Sequence, residues 1–188
     1  MIENLKKEIK NTTKQLKKSN TILYPTDTIW GIGCDATNKE AVTKVYKLKQ
    51  RDESKALICL VNSYDMLAEY IDDIPSQIHK ILTEANKPTT IIYNNPKNLA
   101  KNLIADDNTI AFRMVNTGFC FELIEKFGKP IVSTSANISE QSSPKHFSEI
   151  SKAILTGVDY VVNLPGINVR TVPSRILKLN LDETITRD

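Results

Sequence analysis

The stretch Pro130-Ile131-Val132-Ser133-Thr134-Ser135-Ala136-Asn137 governs our interpretation of this chain. Its apolar start predicts a buried strand, and the residues that follow supply three hydroxyl groups and one amide. Open α/β sheets usually bind ligands at the carboxyl ends of their strands, so small hydrogen-bond donors here favour a binding loop. A loop whose Ser and Asn side chains cap a neighbouring helix is the alternative that this stretch alone leaves open.

A second polar cluster lies upstream, after a predicted strand over residues 21–24 that Pro25 ends. This cluster is Thr26-Asp27-Thr28-Ile29-Trp30-Gly31-Ile32-Gly33-Cys34-Asp35, which combines hydroxyls, one Trp and two glycines. Because both clusters follow predicted strands, together they favour a ligand site over unrelated capping loops.

An arginine in the middle of a predicted strand is a third candidate for such a site. Residues 109–115 alternate, with Ile110, Phe112 and Met114 on one face and Arg113 on the other. A buried arginine is costly unless its guanidinium meets water, a carboxylate or an anionic ligand. The sequence therefore predicts either a ligand contact or a structural ion pair at Arg113.

A charged turn, Lys49-Gln50-Arg51-Asp52-Glu53-Ser54-Lys55, lies between a predicted helix and a predicted strand. Asn38 is the predicted N-cap of the helix over residues 40–48, and the apolar run 56–61 is typical of a strand buried on both faces. A solvent-exposed loop would account for the charges. Together with Arg113 and the hydroxyl-rich loops, however, these cations suit an anionic ligand better than a site for proton transfer.

The remaining sequence predicts further helices and strands, which indicates one α/β domain over residues 1–188 with a mixed sheet. Further helices are predicted over 2–18, 63–71, 76–85, 119–127 and from Ser143-Pro144 onwards. Further strands are predicted over 89–93, 159–163 and 175–179, and the last of these is expected to end the sheet.

Composition and cysteine usage exclude several classes of protein. Of 188 residues, 40% are apolar and 25% charged, which is typical of globular proteins and not of disordered chains. The longest apolar run, residues 56–61, is too short to span a bilayer, and the amino-terminal sequence does not resemble a secretory signal. Three widely spaced cysteines and two histidines argue against a disulfide framework and a protein-held transition metal. We expect a cytoplasmic protein that does not contact membranes.

Positive charge is concentrated at the amino-terminal end of the chain. The whole chain carries a formal net charge of +3, whereas residues 1–20 alone hold six lysines against two glutamates. Such a helix can contact RNA through its phosphates, but lysines on the outer face of an amphipathic helix are more often simply solvated. The sequence leaves both interpretations open.

The common nucleotide-binding and hydrolase signatures are absent from the sequence. Position 36 is Ala where a dinucleotide fingerprint needs its third glycine, and the chain has neither the Gly-Lys-Ser/Thr of a P-loop nor a G-x-S-x-G elbow. What remains is a set of cations beside hydroxyl-rich loops.

The two polar clusters and the charged turn resemble motifs of the YrdC-like family of threonylcarbamoyl-AMP synthases, in the same order and at similar spacing. The resemblance runs over about residues 20–179 and fits the short, single-domain bacterial type. It implies a twisted, mixed α/β sheet with flanking helices around a basic concave cleft. It also implies an enzyme that joins L-threonine, bicarbonate and ATP into threonylcarbamoyl-AMP and pyrophosphate, for the threonylcarbamoyl-adenosine modification of tRNA next to the anticodon.

Position by position, the resemblance implies roles for twelve residues. Lys49 and Arg51 would be catalytic, holding the ATP phosphates and the developing charge. The threonine would contact Thr26, Thr28, Lys55, Arg113, Ser133 and Ser174. The ATP would contact Lys49, Arg51, Thr109, Ser135, Asn137 and Ser143. No metal held by protein ligands is implied, because Mg²⁺ would arrive on the ATP phosphates.

The resemblance has two departures and two competing interpretations. Residues 181–188 fit the family's ending poorly. Ser139-Glu140 stands where the family often has Ser-Gly, which adds a carboxylate near the mouth of the expected cleft. A module that binds tRNA or double-stranded RNA without catalysis would use the same basic surface. The second competing interpretation is a carbamoyl-transfer domain of the hydrogenase-maturation type, although this sequence lacks the acylphosphatase and zinc-finger segments that accompany it. The resemblance also implies downstream enzymes that transfer the threonylcarbamoyl group to tRNA.

Overall fold

A mixed sheet organises the computed structural model, which describes residues 2–165, 173–180 and 185–187. Its described strands are β1 Ile22–Pro25, β2 Trp30–Gly33, β3 Ile58–Val61, β4 Thr89–Asn94, β5 Thr109–Met114, β6 Ile131–Ser135, β7 Tyr160–Val161, β8 Arg175–Leu179 and β9 Ile185–Arg187. Their order across the sheet is β7-β1-β2-β6-β3-β5-β4-β8-β9. The pairs β1–β7, β3–β5 and β4–β8 are parallel and the other neighbours antiparallel, so the predicted mixed α/β fold is confirmed.

Helices flank this sheet on both faces. The described helices are α1 Ile2–Leu16, α2 Lys39–Lys49, α3 Tyr64–Ala68, α4 Ser76–Glu84, α5 Gly118–Phe127 and α6 Lys152–Gly157. Asn38 caps α2 as predicted, because its side chain accepts a hydrogen bond from the Ala41 N–H. Gly128 ends α5, in a left-handed conformation that favours glycine. None of the described helices is long and apolar enough to cross a membrane.

Two apolar cores, one on each face of the sheet, hold these layers together. On one face, α2 packs over a core that includes Leu23, Cys59 and Phe112. On the other face, α1 and α5 pack over Ile22 and Leu60. Neighbouring strand residues thus alternate between the cores, with the period of two that a strand imposes. This confirms that the apolar run preceding Asn62 forms a strand buried on both faces.

The face that α1 and α5 cover also carries the residues of the predicted site. Gly31 is the cross-strand partner of Tyr24, and Arg113 is the partner of Leu60. Because directly opposed residues of paired strands point to the same side, Gly31 and Arg113 both lie on the α1/α5 face. The alternation predicted for residues 109–115 is confirmed by the burial of Phe112 in the opposite core.

Strand β2 forms inside the second polar cluster, where no strand is predicted. Trp30 and Ile32 pack into the core under α2, and Gly31 and Gly33 alternate with them. Because glycines have no side chain, the alternation typical of a strand is not visible in the sequence. A Cβ on Gly33 would collide with the Val132 carbonyl oxygen and the Tyr24 ring. The close approach of β1 and β6 to β2 therefore requires glycine at this position.

Two predictions near the carboxyl-terminal end are wrong. No helix begins at Ser143-Pro144; a 3₁₀ turn at Phe147–Glu149 precedes α6, which begins after Ser151. Ser151 is the start because its hydroxyl accepts a hydrogen bond from the Ile154 N–H, at 3.4 Å. Strand 175–179 does not end the sheet, since β9 pairs with it antiparallel.

Candidate active site

A cleft opens on the α1/α5 face of the sheet, among β2, β3, β5 and β6, and is here called the central cleft. Its volume is about 270 Å³. Eight of the twelve predicted site residues line it, namely Thr26, Thr28, Arg51, Arg113, Ser133, Ser135, Ser143 and Ser174. They come from distant parts of the chain, so the fold itself gathers them. Arg51 and Arg113 are the charged side chains among its described lining residues, while the basic field of the whole cleft stays a prediction.

Arg113 combines the two roles that the sequence leaves open. It is 4% exposed, and its Nη2 donates to Asp27 Oδ1 at 2.9 Å in an ion pair. Its Nε is buried and has no hydrogen-bond partner among the described residues. A buried donor without a partner is costly, so an anionic ligand in the cleft would relieve that cost.

Asp27, which belongs to the second polar cluster, contacts a predicted site residue, although the sequence alone assigns Asp27 no role. Its carboxylate fixes the guanidinium of Arg113 from the loop before β2. The indication in the sequence is that an arginine buried in a strand requires an anionic partner, and Asp27 lies in a motif expected to reach the same site.

The threonine hydroxyls of that loop set its shape. Thr26 Oγ1 donates to the Ile29 carbonyl at 2.7 Å and accepts from the Thr28 and Ile29 N–H groups, at 3.0 and 3.2 Å. Thr28 Oγ1 lies 3.0 Å from Thr26 Oγ1. Both side chains are buried, which gives the cleft a wall of fixed hydroxyl groups.

Arg51 reaches the cleft from the turn after α2. Its Nε donates to the Lys55 carbonyl and its Nη2 to the Ala56 carbonyl, each at 2.9 Å. A guanidinium has five N–H donors, so these two bonds leave the others for a ligand. The protein thus orients a cation toward the cleft without neutralising it.

Lys49 lies under the neighbouring loop and does not line the cleft. Its side chain is 1% exposed, and Nζ donates to the carbonyl oxygens of Ser135 and Asn137, each at 2.6 Å. Burial lowers the pKa of Lys49 to about 8, and the positive charge on Arg51 adds to this lowering. The structure therefore brings Arg51 to the cleft but turns Lys49 away from it.

The loop after β6 is ordered by Asn137. Its Nδ2 donates to the carbonyls of Ile138 and Gln141, each at 2.8 Å, and Ser143 Oγ donates to its Oδ1 at 3.5 Å. The amide of Asn137 therefore organises the loop that brings Ser143 to the cleft.

Ser174 reaches the cleft from the segment before β8. Its hydroxyl lies 2.7 Å from the Thr90 hydroxyl of β4. Ser133, on β6, is buried in the floor of the cleft, and its Oγ would lie 3.4 Å from a Cβ added at Gly31.

Two more predicted residues lie outside the cleft lining. Lys55 Nζ pairs with Glu140 Oε1 at 3.2 Å, so the extra carboxylate of this chain binds the cation expected for the threonine. Thr109 donates to Asp107 Oδ1 at 2.6 Å and lines a separate hollow with Lys178. Among the described residues, no group of three or more His, Cys, Asp or Glu side chains could hold a metal ion.

Comparisons with known proteins show similarity over most of this chain. Residues 14–188 match the Sua5/YciO/YrdC family, which carries the description "Telomere recombination". Threonylcarbamoyl-AMP synthase of Pseudoalteromonas translucida is 35% identical over 164 residues, which are 86% of this chain and 87% of that protein. The Klebsiella pneumoniae protein of the same name is 35% identical over 138 residues, or 72% of this chain and 73% of that protein.

Solved structures share the fold. P. abyssi Sua5 complexed with L-threonine has a TM-score of 0.83 and 23% identity, over 91% of this chain and 50% of that one, so this chain spans about half its length. E. coli YciO has a TM-score of 0.80 and 22% identity, over 95% of this chain and 86% of that one. With the family match over residues 14–188 and relatives 35% identical over most of their length, this chain belongs to the Sua5/YciO/YrdC family.

Proposed function

We propose that this chain is a threonylcarbamoyl-AMP synthase, a nucleotidyltransferase that uses L-threonine, bicarbonate and ATP. Relatives of that name are 35% identical to it over most of both chains, which supports the activity. P. abyssi Sua5, which has the same fold, was solved with L-threonine. The product would serve the threonylcarbamoyl-adenosine modification of tRNA next to the anticodon, in the cytoplasm.

The observation that carries the proposal is the meeting of two arginines and several hydroxyls in one cleft. Arg51 comes from the turn after α2 and Arg113 from β5, and both line the central cleft beside Ser133 and Ser135. No carboxylate is among the described lining residues. Such a site suits ligands that carry several negative charges.

The reaction needs positioning and charge neutralisation more than a general base. The threonine amine and bicarbonate combine into a carbamate with loss of water. A carbamate oxygen then attacks the α-phosphorus of ATP, the bond from that phosphorus to the bridging oxygen breaks, and pyrophosphate leaves. The obstacle is the crowding of anions, which fixed cations and hydroxyls reduce.

Five lining residues have roles in this scheme. Arg51 would meet the ATP phosphates with its remaining N–H donors, and Arg113 would bind the threonine carboxylate with the donors that Asp27 leaves. Thr28 and Ser133 would bind the rest of the threonine, and Ser135 would donate to a phosphate or to the carbamate. Mg²⁺, held by the ATP phosphates, would supply further charge neutralisation. The chain itself fixes these donors before the substrates arrive.

Partners other than threonine and ATP belong to the proposal as well. Bicarbonate would supply the carbamoyl carbon, and downstream transferases would pass the threonylcarbamoyl group to tRNA. A tRNA or an RNA duplex could also touch the chain itself, since all six lysines of the segment 6–18 are exposed. Binding of RNA without catalysis is the alternative function, which the names of the relatives do not favour.

The test is pyrophosphate release from ATP, Mg²⁺ and bicarbonate, with and without L-threonine. We expect release that depends on threonine, formation of threonylcarbamoyl-AMP by mass spectrometry, and a drop of about 10²-fold in Arg51→Ala. Lys152→Ala, at an exposed helix position away from the cleft, is the matched control. Folded protein that releases no pyrophosphate would overturn the proposal, and salt-sensitive binding of an RNA duplex would then support the alternative.

A further inference from the structure

Lys49 is bonded to the loop after β6, although it belongs to the charged turn whose arginine lines the central cleft. Its Nζ donates to the carbonyl oxygens of Ser135 and Asn137, each at 2.6 Å. Its own carbonyl accepts a hydrogen bond from the Ser139 N–H at 2.8 Å. The last residue of α2 therefore anchors the loop at three positions.

The two hydrogen bonds from Nζ use most of the donors of the Lys49 ammonium group. An ammonium has three N–H donors and no acceptor, and two of the three are already bonded. If Nζ moved to a phosphate in the cleft, two short charge-assisted bonds would break and two partly buried carbonyl oxygens would each lose a donor. The observed geometry thus disfavours the direct phosphate contact that the family resemblance implies for Lys49.

The bonds also determine which groups of the loop face the cleft. The side chain of Ser135 lines the cleft, whereas Lys49 does not. The carbonyl oxygens of Ser135 and Asn137 point at Lys49 and therefore away from the cleft. If they pointed into the cleft, their partial negative charge would repel an anionic ligand. Asn137, held by the same ammonium, accepts the hydrogen bond from Ser143, another lining residue.

We propose that Lys49 is a positioning residue, which fixes the loop after β6 so that the Ser135 and Ser143 hydroxyls face the anionic substrate and the loop carbonyls do not. This inference rests on the proposed function and deepens it. Arg51 is then the residue of the charged turn that contacts the phosphates. Lys49 acts through the loop and touches neither ATP nor threonine.

Chemical labelling tests the placement of Lys49 in the unmodified protein. Reductive methylation with formaldehyde and a borohydride, read by mass spectrometry, is expected to leave Lys49 unlabelled both with and without ATP and Mg²⁺. Lys152, on the exposed face of α6, is the control and is labelled in both conditions. An accessible lysine with a lowered pKa would react faster than an ordinary one, so labelling of Lys49 in the ligand-free protein, with protection by ATP, would overturn the proposal.

A double-mutant cycle tests whether Lys49 acts through Ser135. In threonine-dependent pyrophosphate release, we expect Lys49→Met to lower kcat by about 10²-fold, the effect of misplaced groups, with a much smaller change in the KM for ATP. Adding Ser135→Ala to Lys49→Met should lower kcat little further, because both changes act on one loop. A large rise in that KM, or additive losses, would contradict the positioning role.

The two experiments separate this inference from the proposed function. Absence of pyrophosphate release by the wild-type protein would count against the synthase activity, whereas the labelling result does not depend on activity. If Lys49→Met does not fold, as far-ultraviolet circular dichroism would reveal, the labelling of the wild-type protein still decides the placement.

Discussion

Arg113 Nη2 lies 2.9 Å from Asp27 Oδ1, and this ion pair joins β5 to the loop before β2 beside the central cleft. The Arg113 side chain is 5% exposed and the Asp27 side chain 29%. One edge of the guanidinium is therefore held by the protein, while its Nε has no partner among the described residues. A guanidinium held in this orientation can bind a second carboxylate, which we propose is that of threonine.

Replacement of Arg113 by lysine tests this arrangement. A single ammonium cannot provide the two-pronged geometry that binds Asp27 and a second carboxylate together. We expect the KM for threonine in pyrophosphate release to rise by at least about tenfold, which corresponds to roughly 1.4 kcal/mol. Arg175→Lys is the matched control, because this β8 arginine donates to Thr89 Oγ1 of β4 and does not line the cleft. An unchanged KM in Arg113→Lys would exclude the carboxylate contact.

Gly33 tests how tightly β2 fits between its neighbours. A methyl group here would meet the Val132 carbonyl and the Tyr24 ring, so we expect Gly33→Ala to lower the free energy of unfolding by about 3 kcal/mol or more. Urea titration measures this change. Gly118→Ala is the control, because its φ of +78° strains the backbone by about 1 kcal/mol, while the new Cβ would meet nothing beyond its chain neighbours and its own helix backbone within 4 Å. Equal losses of unfolding free energy in the two variants would show that small shifts of the neighbouring atoms relieve the collision.

Lys49 should make stability depend on pH. Burial, with a contribution from Arg51, lowers its pKa from the ordinary 10.5 to about 8, so between these values the unfolded chain binds more protons than the folded one. In that window the Lys49 contribution makes stability rise with pH, by at most about 1.4 kcal/mol per pH unit. Below pH 8 both states hold the proton, and the dependence disappears.

Urea unfolding of wild type and Lys49→Met between about pH 7.5 and about pH 9.5 checks this sign. The difference in unfolding free energy, wild type minus variant, should increase with pH, because every other titrating group is common to both proteins. A difference that stays flat or falls with pH would mean that the folded state does not lower the pKa of Lys49.

The elements that the sequence predicts well are those whose cause is local. Asn38 caps α2 because its side chain bonds within its own turn, and residues 109–115 reveal their buried face by simple alternation. The sequence does not predict strand β2, because two of its four residues are glycines, which have no side chain to show the alternation of a strand. Its position follows from pairing with β1 and β6, and β6 lies about a hundred residues further along the chain.

The same distinction applies to the candidate site. The motifs predict which residues gather, and eight of the twelve meet in one cleft. They do not predict the direction of a long side chain, which depends on acceptors elsewhere. Lys49 and Arg51 are two residues apart, yet the first bonds to the loop after β6 and the second turns to the cleft. Only the packed fold distinguishes them.

Glu140 should restrain the attraction of anionic substrates to this chain. Its carboxylate lies 3.2 Å from Lys55 Nζ, and the two side chains are 82% and 52% exposed, so the pair contributes at most about 1 kcal/mol to stability. Glu140→Gln should leave the free energy of unfolding nearly unchanged but free the Lys55 charge. We expect a lower KM for ATP in this variant at low salt, with the difference vanishing as added salt screens the exposed charges. Glu84→Gln, at an exposed position at the end of α4, is the control for the change in net charge. A KM for ATP that is unchanged at low salt would mean that the Lys55 charge takes no part in attracting ATP, and that the Glu140 carboxylate only orders its loop.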